Sequence, residues 1–148
     1  MSQGSLVGPF LFLIFINDLI DQIKNSKILL YADDAKLYLK IDCIKDCDAL
    51  QGDLSAINEW CSKWGIILNT DKCHVITFTL KKNPIIYEYK IDVPLSRTDN
   101  IKDLGVTLTS TMNYSKHISE TLNACFKIIG MLKRKSVNFE KNYCFNTI

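Results

Sequence analysis

Asp33 and Asp34 stand side by side in the run Tyr31-Ala32-Asp33-Asp34, between two short apolar stretches. Lys27 to Tyr31 and Lys36 to Ile41 both read as strands, which places the two carboxylates at the tip of a β-hairpin. Adjacent carboxylates repel one another, and a tight turn keeps them close. A bound divalent cation offsets that repulsion and makes the pair a hard oxygen site. Aspartate is also a good turn former in its own right, so the pair alone has two readings: half of a metal site, or a plain polar turn.

Other reactive residues are less organised. The six cysteines, Cys43, Cys47, Cys61, Cys73, Cys125 and Cys144, have no CxxC pair and no compact disulfide spacing. Cys73-His74 lacks a second ligand pair at zinc-finger distance, and Cys43 with Cys47 is at most a weak half-site. Small core residues in a reducing compartment explain Cys43 and Cys47 better than zinc does. Lys81-Lys82 and Lys133-Arg134-Lys135 are basic clusters, readable as solvated faces or as phosphate contacts.

The elements that must position these groups follow from hydrophobic period. The chain has 148 residues, 47% hydrophobic and 23% charged, with a formal net charge of +2. These are ordinary globular values, and they neither demand nor exclude a nucleic-acid partner. Leu6 to Ile16 is apolar but too short to span a bilayer, and Gly8-Pro9 interrupts it. No signal peptide is evident, so no membrane partner and an intracellular location, cytoplasmic or nuclear, are expected.

Pro9 suits the start of a helix, and Phe10 to Lys24 continues without a breaker; its first half, apolar all round, predicts a helix buried on most sides. A second helix is expected near residues 47–64, capped by Asp46 or Asp48, with Leu50, Leu54, Ile57, Cys61 and Trp64 on one stripe and Gly65 at its end. Cys73 to Leu80, Ile85 to Ile91 and Ile101 to Thr109 read as strands. Tyr114 to Lys135 reads as a third helix, with Ile118, Leu122, Cys125, Ile129 and Leu132 on one face. Ser136 to Ile148 has no clear ending.

Helix, strand, strand, helix, strand is a ferredoxin-like split βαβ order without its first strand. The predicted class is therefore α+β, an antiparallel sheet with helices on one face. The absent strand would be central and would cover Ile28, Leu30, Leu37, Val75 and Thr77. Its absence predicts open sheet edges and self-association.

Several segments then resemble one family in its own order. Gln3-Gly4-Ser5-Leu6-Val7-Gly8-Pro9 with Leu11 to Leu19 is similar to the segment that opens the palm helix of reverse transcriptases, in the style of jockey-type non-LTR retrotransposons. Leu30-Tyr31-Ala32-Asp33-Asp34 resembles their metal-binding turn. Trp60-Cys61, Leu68-Asn69, Lys72-Cys73 and Thr77-Phe78 resemble the next palm segment, and Ile101 to Val106 the primer-grip hairpin. His117-Ile118 with Lys133-Arg134 is similar to the start of the thumb.

The resemblance implies a polymerase palm over residues 1–109, including the primer-grip-like hairpin, and the beginning of a helical thumb over 110–148. It implies a two-ion Mg2+ site held in part by Asp33 and Asp34, with a third carboxylate and the fingers expected upstream of this sequence. It places Gln3, Gly4, Ser5 and Tyr31 at the nucleotide and template, Lys72 as a proton donor to pyrophosphate, and Leu104 and Gly105 at the primer backbone. RNA template, DNA primer and deoxynucleotides are the partners implied for an intact parent.

Each assignment has a plainer counterpart: a loop before a helix for Gln3 to Ser5, a strand aromatic for Tyr31, a solvated turn lysine for Lys72, a strand bend for Leu104-Gly105. His74 and His117 carry no catalytic expectation. The leading expectation is a polymerase fragment inactive alone. The alternatives are a non-enzymatic element remnant with weak nucleic-acid binding, and an unrelated small interaction domain.

Overall fold

A capping box opens the longest helix of the core. Cys43 has extended backbone (φ −144°), and the Asp46 carboxylate reaches back to accept the N–H groups of Cys43 and Asp42, both at 2.8 Å. Those two bonds hold the Asp46 carboxyl below the usual carboxylate range. The helix therefore begins at Ile44, a turn earlier than predicted, with Asp46 inside its first turn rather than in front of it. At the other end Gly65 has φ +68°, Ile66 N–H bonds to Cys61 O at 2.8 Å and Gly65 N–H to Ser62 O at 3.3 Å. This is a Schellman stop, and it bears out Gly65 as the terminator.

The computed structural model describes residues 7–136. In chain order it contains α1 (Val7–Asn17), a 3-10 turn (Ile20–Gln22), β1 (Lys27–Tyr31), β2 (Asp34–Tyr38), α2 (Ile44–Lys63), a 3-10 turn (Thr70–Lys72), β3 (His74–Val75), β4 (Ser96–Arg97), β5 (Asn100–Asp103), β6 (Val106–Thr109) and α3 (Ser115–Ser136). Two compact units divide these elements. One runs up to Val75 and takes in Lys81–Arg97; the other joins Ile76–Leu80 to the residues from Thr98 onward.

In the first unit the buried cluster is Leu19, Ile57, Trp60 and Cys61, with Phe15, Ile28, Leu30 and Leu37 packed against it. Phe15 meets Trp60 at a tilt, with ring centroids 5.3 Å apart, and Trp64 edge-on at 5.4 Å. The predicted α2 stripe is shifted: Ile57 and Cys61 are buried as expected, Leu50 and Leu54 only partly, and Trp64 is half exposed, while Cys47, Asp53 and Trp60 are buried. The shift has a cause, because a second segment covers the other flank of α2. Gln51 pairs its amide with both the N–H and the C=O of Lys90 (2.9 and 2.8 Å), and the Tyr87 hydroxyl donates to Asp48. Tyr89 is buried there.

Three predicted elements are corrected. The first helix ends at Asn17, and the 3-10 turn that follows carries Leu19 and Ile23 into the core instead of continuing to Lys24. It is not buried on most sides: Phe10 is 64% exposed, and Leu13 and Ile14 are also open, because α2 covers only the Phe15 side. The strand expected over Cys73 to Leu80 shrinks to His74–Val75, which pairs in parallel with Ser96–Arg97. Ile85 to Ile91 forms no strand, since Gln51 takes the hydrogen-bonding role of a neighbour at Lys90.

Ile101 to Thr109 is a hairpin of two strands, in register from Asn100 with Thr109 to Asp103 with Val106. One continuous antiparallel sheet is likewise not formed. The described strands make three two-stranded sheets, and Ile28, Leu30 and Leu37, expected under an absent strand, pack on the helical core instead.

In the second unit β6 packs on α3. Buried Thr107 donates its hydroxyl to Glu120 at 2.6 Å and its N–H to His117 Nδ1 at 3.3 Å, so that ring nitrogen is the acceptor. The predicted third helix is present, and its last turn carries Lys133, Arg134 and Lys135 against the negative end of the helix dipole. Its apolar face is open: Ile118, Leu122, Ile129 and Leu132 are all exposed. No described helix is long and apolar enough to cross a membrane.

Candidate metal-binding turn

The β1–β2 hairpin pairs Lys27 with Tyr38, Ile28 with Leu37 and, at its tip, Tyr31 with Asp34. Ala32 and Asp33 are thus the two loop residues. Ala32 has φ +51°. A left-handed residue at the first loop position belongs to the mirror-image turns whose twist matches a two-residue hairpin. Alanine there carries about 1 kcal/mol of backbone strain that glycine would not. Ala32→Gly should therefore raise the hairpin's stability by roughly 0.5–1 kcal/mol, measured as a shift of the urea midpoint; an unchanged or lowered midpoint would contradict this turn geometry.

Asp33 and Asp34 are both exposed, and no described group engages either carboxylate in a hydrogen bond or ion pair. The donor set is therefore two adjacent hard oxygen groups facing solvent. No cluster of three or more His, Cys, Asp or Glu side chains occurs among the described residues. Two carboxylates fit part of the shell of a magnesium-like ion, which keeps several waters and takes phosphate oxygens as its remaining ligands. They do not fit a closed calcium or zinc cage. Tyr31 precedes the turn at 62% exposure and pairs across the hairpin with Asp34.

The hairpin is held from behind by a residue the sequence reading missed. Asp53 on α2 is 2% exposed. Its Oδ2 accepts the N–H of Ser26 (2.7 Å), the Ser26 hydroxyl (2.7 Å) and the N–H of Asn25 (2.9 Å), while Oδ1 accepts the N–H of Lys24 and the Asn25 amide, both at 3.2 Å. Burial pushes this carboxyl up, but the bonds from Ser26, Asn25 and Lys24 outweigh it and hold it below its ordinary value. The signal was present in the sequence. Asp53 lies three residues after Leu50 and four before Ile57, so an acid sits on an apolar stripe and must find partners.

The remaining predicted residues are divided between the two units. Lys72 closes the exposed 3-10 turn Thr70–Lys72 in the first unit. Leu104 and Gly105 form the loop of the β5–β6 hairpin in the second unit, with φ +46° and +87°. Two consecutive left-handed residues make the mirror-image turn that tight hairpins favour, and leucine in that conformation is an outlier of the kind found at functional sites. A methyl group at Gly105 meets no atom within 4 Å, so Gly105→Ala should cost only backbone strain, about 1–2 kcal/mol. A thermal melt showing no loss would refute the turn. Gln3, Gly4 and Ser5 lie outside the described residues.

Comparison with known proteins follows the same residues. The reverse transcriptase (RNA-dependent DNA polymerase) family matches residues 1–108. The chain is 36% identical over 128 residues to the RNA-directed DNA polymerase from mobile element jockey of Drosophila funebris, covering 79% of this chain and 14% of that protein. It is 29% identical over 123 residues to the probable RNA-directed DNA polymerase from transposon X-element of Drosophila melanogaster, covering 80% and 14%. Against the probable RNA-directed DNA polymerase from transposon BS of the same species it is 29% identical over 141 residues, covering 88% and 16%. The chain thus spans about one-seventh of the curated relatives it matches. No solved structure matches it.

Proposed function

We propose, from the premise that this chain belongs to the reverse transcriptase family, that it is the palm segment and thumb beginning of an RNA-directed DNA polymerase of a jockey-like mobile element. The observation that carries this reading is the hairpin tip, where Asp33 and Asp34 stand exposed and uncommitted in a two-residue turn. The palm and thumb divide at residues 109 and 110 in this reading. RNA template, DNA primer and deoxynucleotides are the partners of the intact protein.

In that protein Asp33 and Asp34 are two of the carboxylates that hold two magnesium ions. Such ions lower the pKa of an attacking hydroxyl and stabilise the charge on departing pyrophosphate. The chain's own residues supply the rest. The rigid hairpin keeps two negative charges at one place, so a hard cation is favoured there and lost when either charge is removed. Tyr31, one step before the turn, offers a flat apolar face on which a primer-end base or sugar can rest. The Leu104–Gly105 turn presents backbone N–H groups where no side chain at Gly105 blocks a phosphate. Lys72 carries the proton that neutralises the leaving pyrophosphate.

Two expected results test this. The isolated 148-residue chain does not extend a primer on RNA, because two carboxylates leave the ion charge poorly balanced and the attacking oxygen poorly placed. Its manganese binding, read by water proton relaxation, is weak and disappears in the Asp33→Asn, Asp34→Asn double variant. Binding that persists in the double variant would overturn the role of the turn. The open apolar surfaces of α1 and α3 also favour self-association of the isolated chain; sedimentation as a single monomer at all concentrations would count against it.

A remnant with only weak nucleic-acid affinity is the second reading. Primer binding without metal dependence would support it.

A further inference from the structure

We propose that Asp53 is the positioning residue of the Asp33–Asp34 turn: from α2 it clamps Lys24, Asn25 and Ser26, the three residues that lead directly into β1, and so aims the hairpin whose tip carries both carboxylates. The proposal takes its functional meaning from the polymerase reading, but its own test does not depend on it.

The geometry is that of a root and a lever. Five donors from three consecutive residues converge on one buried carboxylate. Lys27, the first residue of β1, follows immediately after the clamped Ser26. A five-residue strand is about 17 Å long at the usual rise. A tilt of about 10° at its root therefore moves the tip by about 3 Å, against a tolerance of about 0.5 Å for a working constellation.

Hydrophobic contact of Ile28, Leu30 and Leu37 with the core is non-directional and resists such a tilt poorly. Hydrogen bonds of 2.7–2.9 Å to two successive N–H groups and a hydroxyl fix direction as well as distance. The charge also matters. A carboxylate is acceptor-only and can take all five donors, whereas an asparagine of the same shape must aim its own N–H2 at donors.

The test uses the full 148-residue chain with Asp53→Asn, Ser26→Ala and, as a control that loosens the core without touching the clamp, Ile57→Val. Hydrogen exchange is followed in peptides from residues 27–38 and from α3. Asp53→Asn should speed exchange in the hairpin at least tenfold and Ser26→Ala two- to threefold, with α3 unchanged. Manganese affinity, measured by relaxation, should fall about fivefold in Asp53→Asn and stay unchanged in Ile57→Val.

Hairpin exchange that is unaltered in folded Asp53→Asn, or in Ser26→Ala should the first variant not fold, would overturn the proposal. So would an equal loss of manganese affinity in Ile57→Val, since the effect would then be general loosening. If the unsubstituted chain binds no manganese at Asp33 and Asp34, the metal reading of the turn fails, and the exchange result still decides the clamp.

Discussion

Replacing either Asp33 or Asp34 by asparagine should lower primer extension roughly a thousandfold, about 4 kcal/mol of transition-state stabilisation. The system is an intact polymerase in which this chain takes the place of the segment it matches in the jockey enzyme of Drosophila funebris. The amide keeps the shape of the turn, so hairpin pairing from Lys27–Tyr38 to Tyr31–Asp34 survives while one negative charge is lost. Two cations brought together at one site repel each other, and each carboxylate removed raises the cost of holding both. Primer binding, which does not need the pair, should change little. Either variant retaining more than a tenth of the extension rate would show that the turn is not the metal-holding element.

The second large effect is on stability. Asp53→Ala should destabilise the first unit by roughly 3–5 kcal/mol, because three backbone N–H groups and two side-chain donors lose their acceptor in a buried place. That is a large share of the 5–15 kcal/mol by which domains are typically stable. The pH dependence follows from the lowered pKa. Because the folded carboxyl ionises more readily than an unfolded one, the clamp contributes fully above the ordinary value of 3.8 and is lost as pH falls below it. Urea midpoints should drop as pH falls below the ordinary carboxylate value in the unsubstituted chain, and this acid limb should be shallower in Asp53→Ala. Parallel acid limbs in the two proteins would contradict the assignment.

Much of this was legible from residue order. The short apolar runs on either side of the double aspartate point to the hairpin, Gly65 to the end of α2, and the steps of three and four from Ile118 to Leu132 to α3. What stayed hidden depends on contacts distant in sequence. Nothing local says that Gln51 will occupy the hydrogen-bonding groups of Lys90, and so Ile85 to Ile91, rich in β-branched and aromatic residues, has the composition of a strand without forming one. The break of α1 after Asn17 has no glycine or proline to announce it; it follows from Leu19 turning into the core.

The candidate site divides in the same way. The double aspartate is visible because adjacency in sequence is adjacency in space at a hairpin tip. Asp53 is visible only once its place on an apolar stripe is taken as a demand for partners, and its partners lie 27 to 29 residues away. Leu104 could be placed at a turn beside Gly105, but not its left-handed backbone, since leucine rarely adopts it.

Whether the hairpin tip supplies hard oxygen ligands to the ions of a polymerase is decided by changing the ligand atom. Asp33→Cys in the same intact polymerase replaces an oxygen donor with a thiolate, which magnesium binds poorly and manganese or cadmium accepts. Primer extension on an RNA template should be lost with magnesium alone and return in part when manganese or cadmium is added, with no such return in Asp33→Ala. Full activity of Asp33→Cys in magnesium alone would contradict the account.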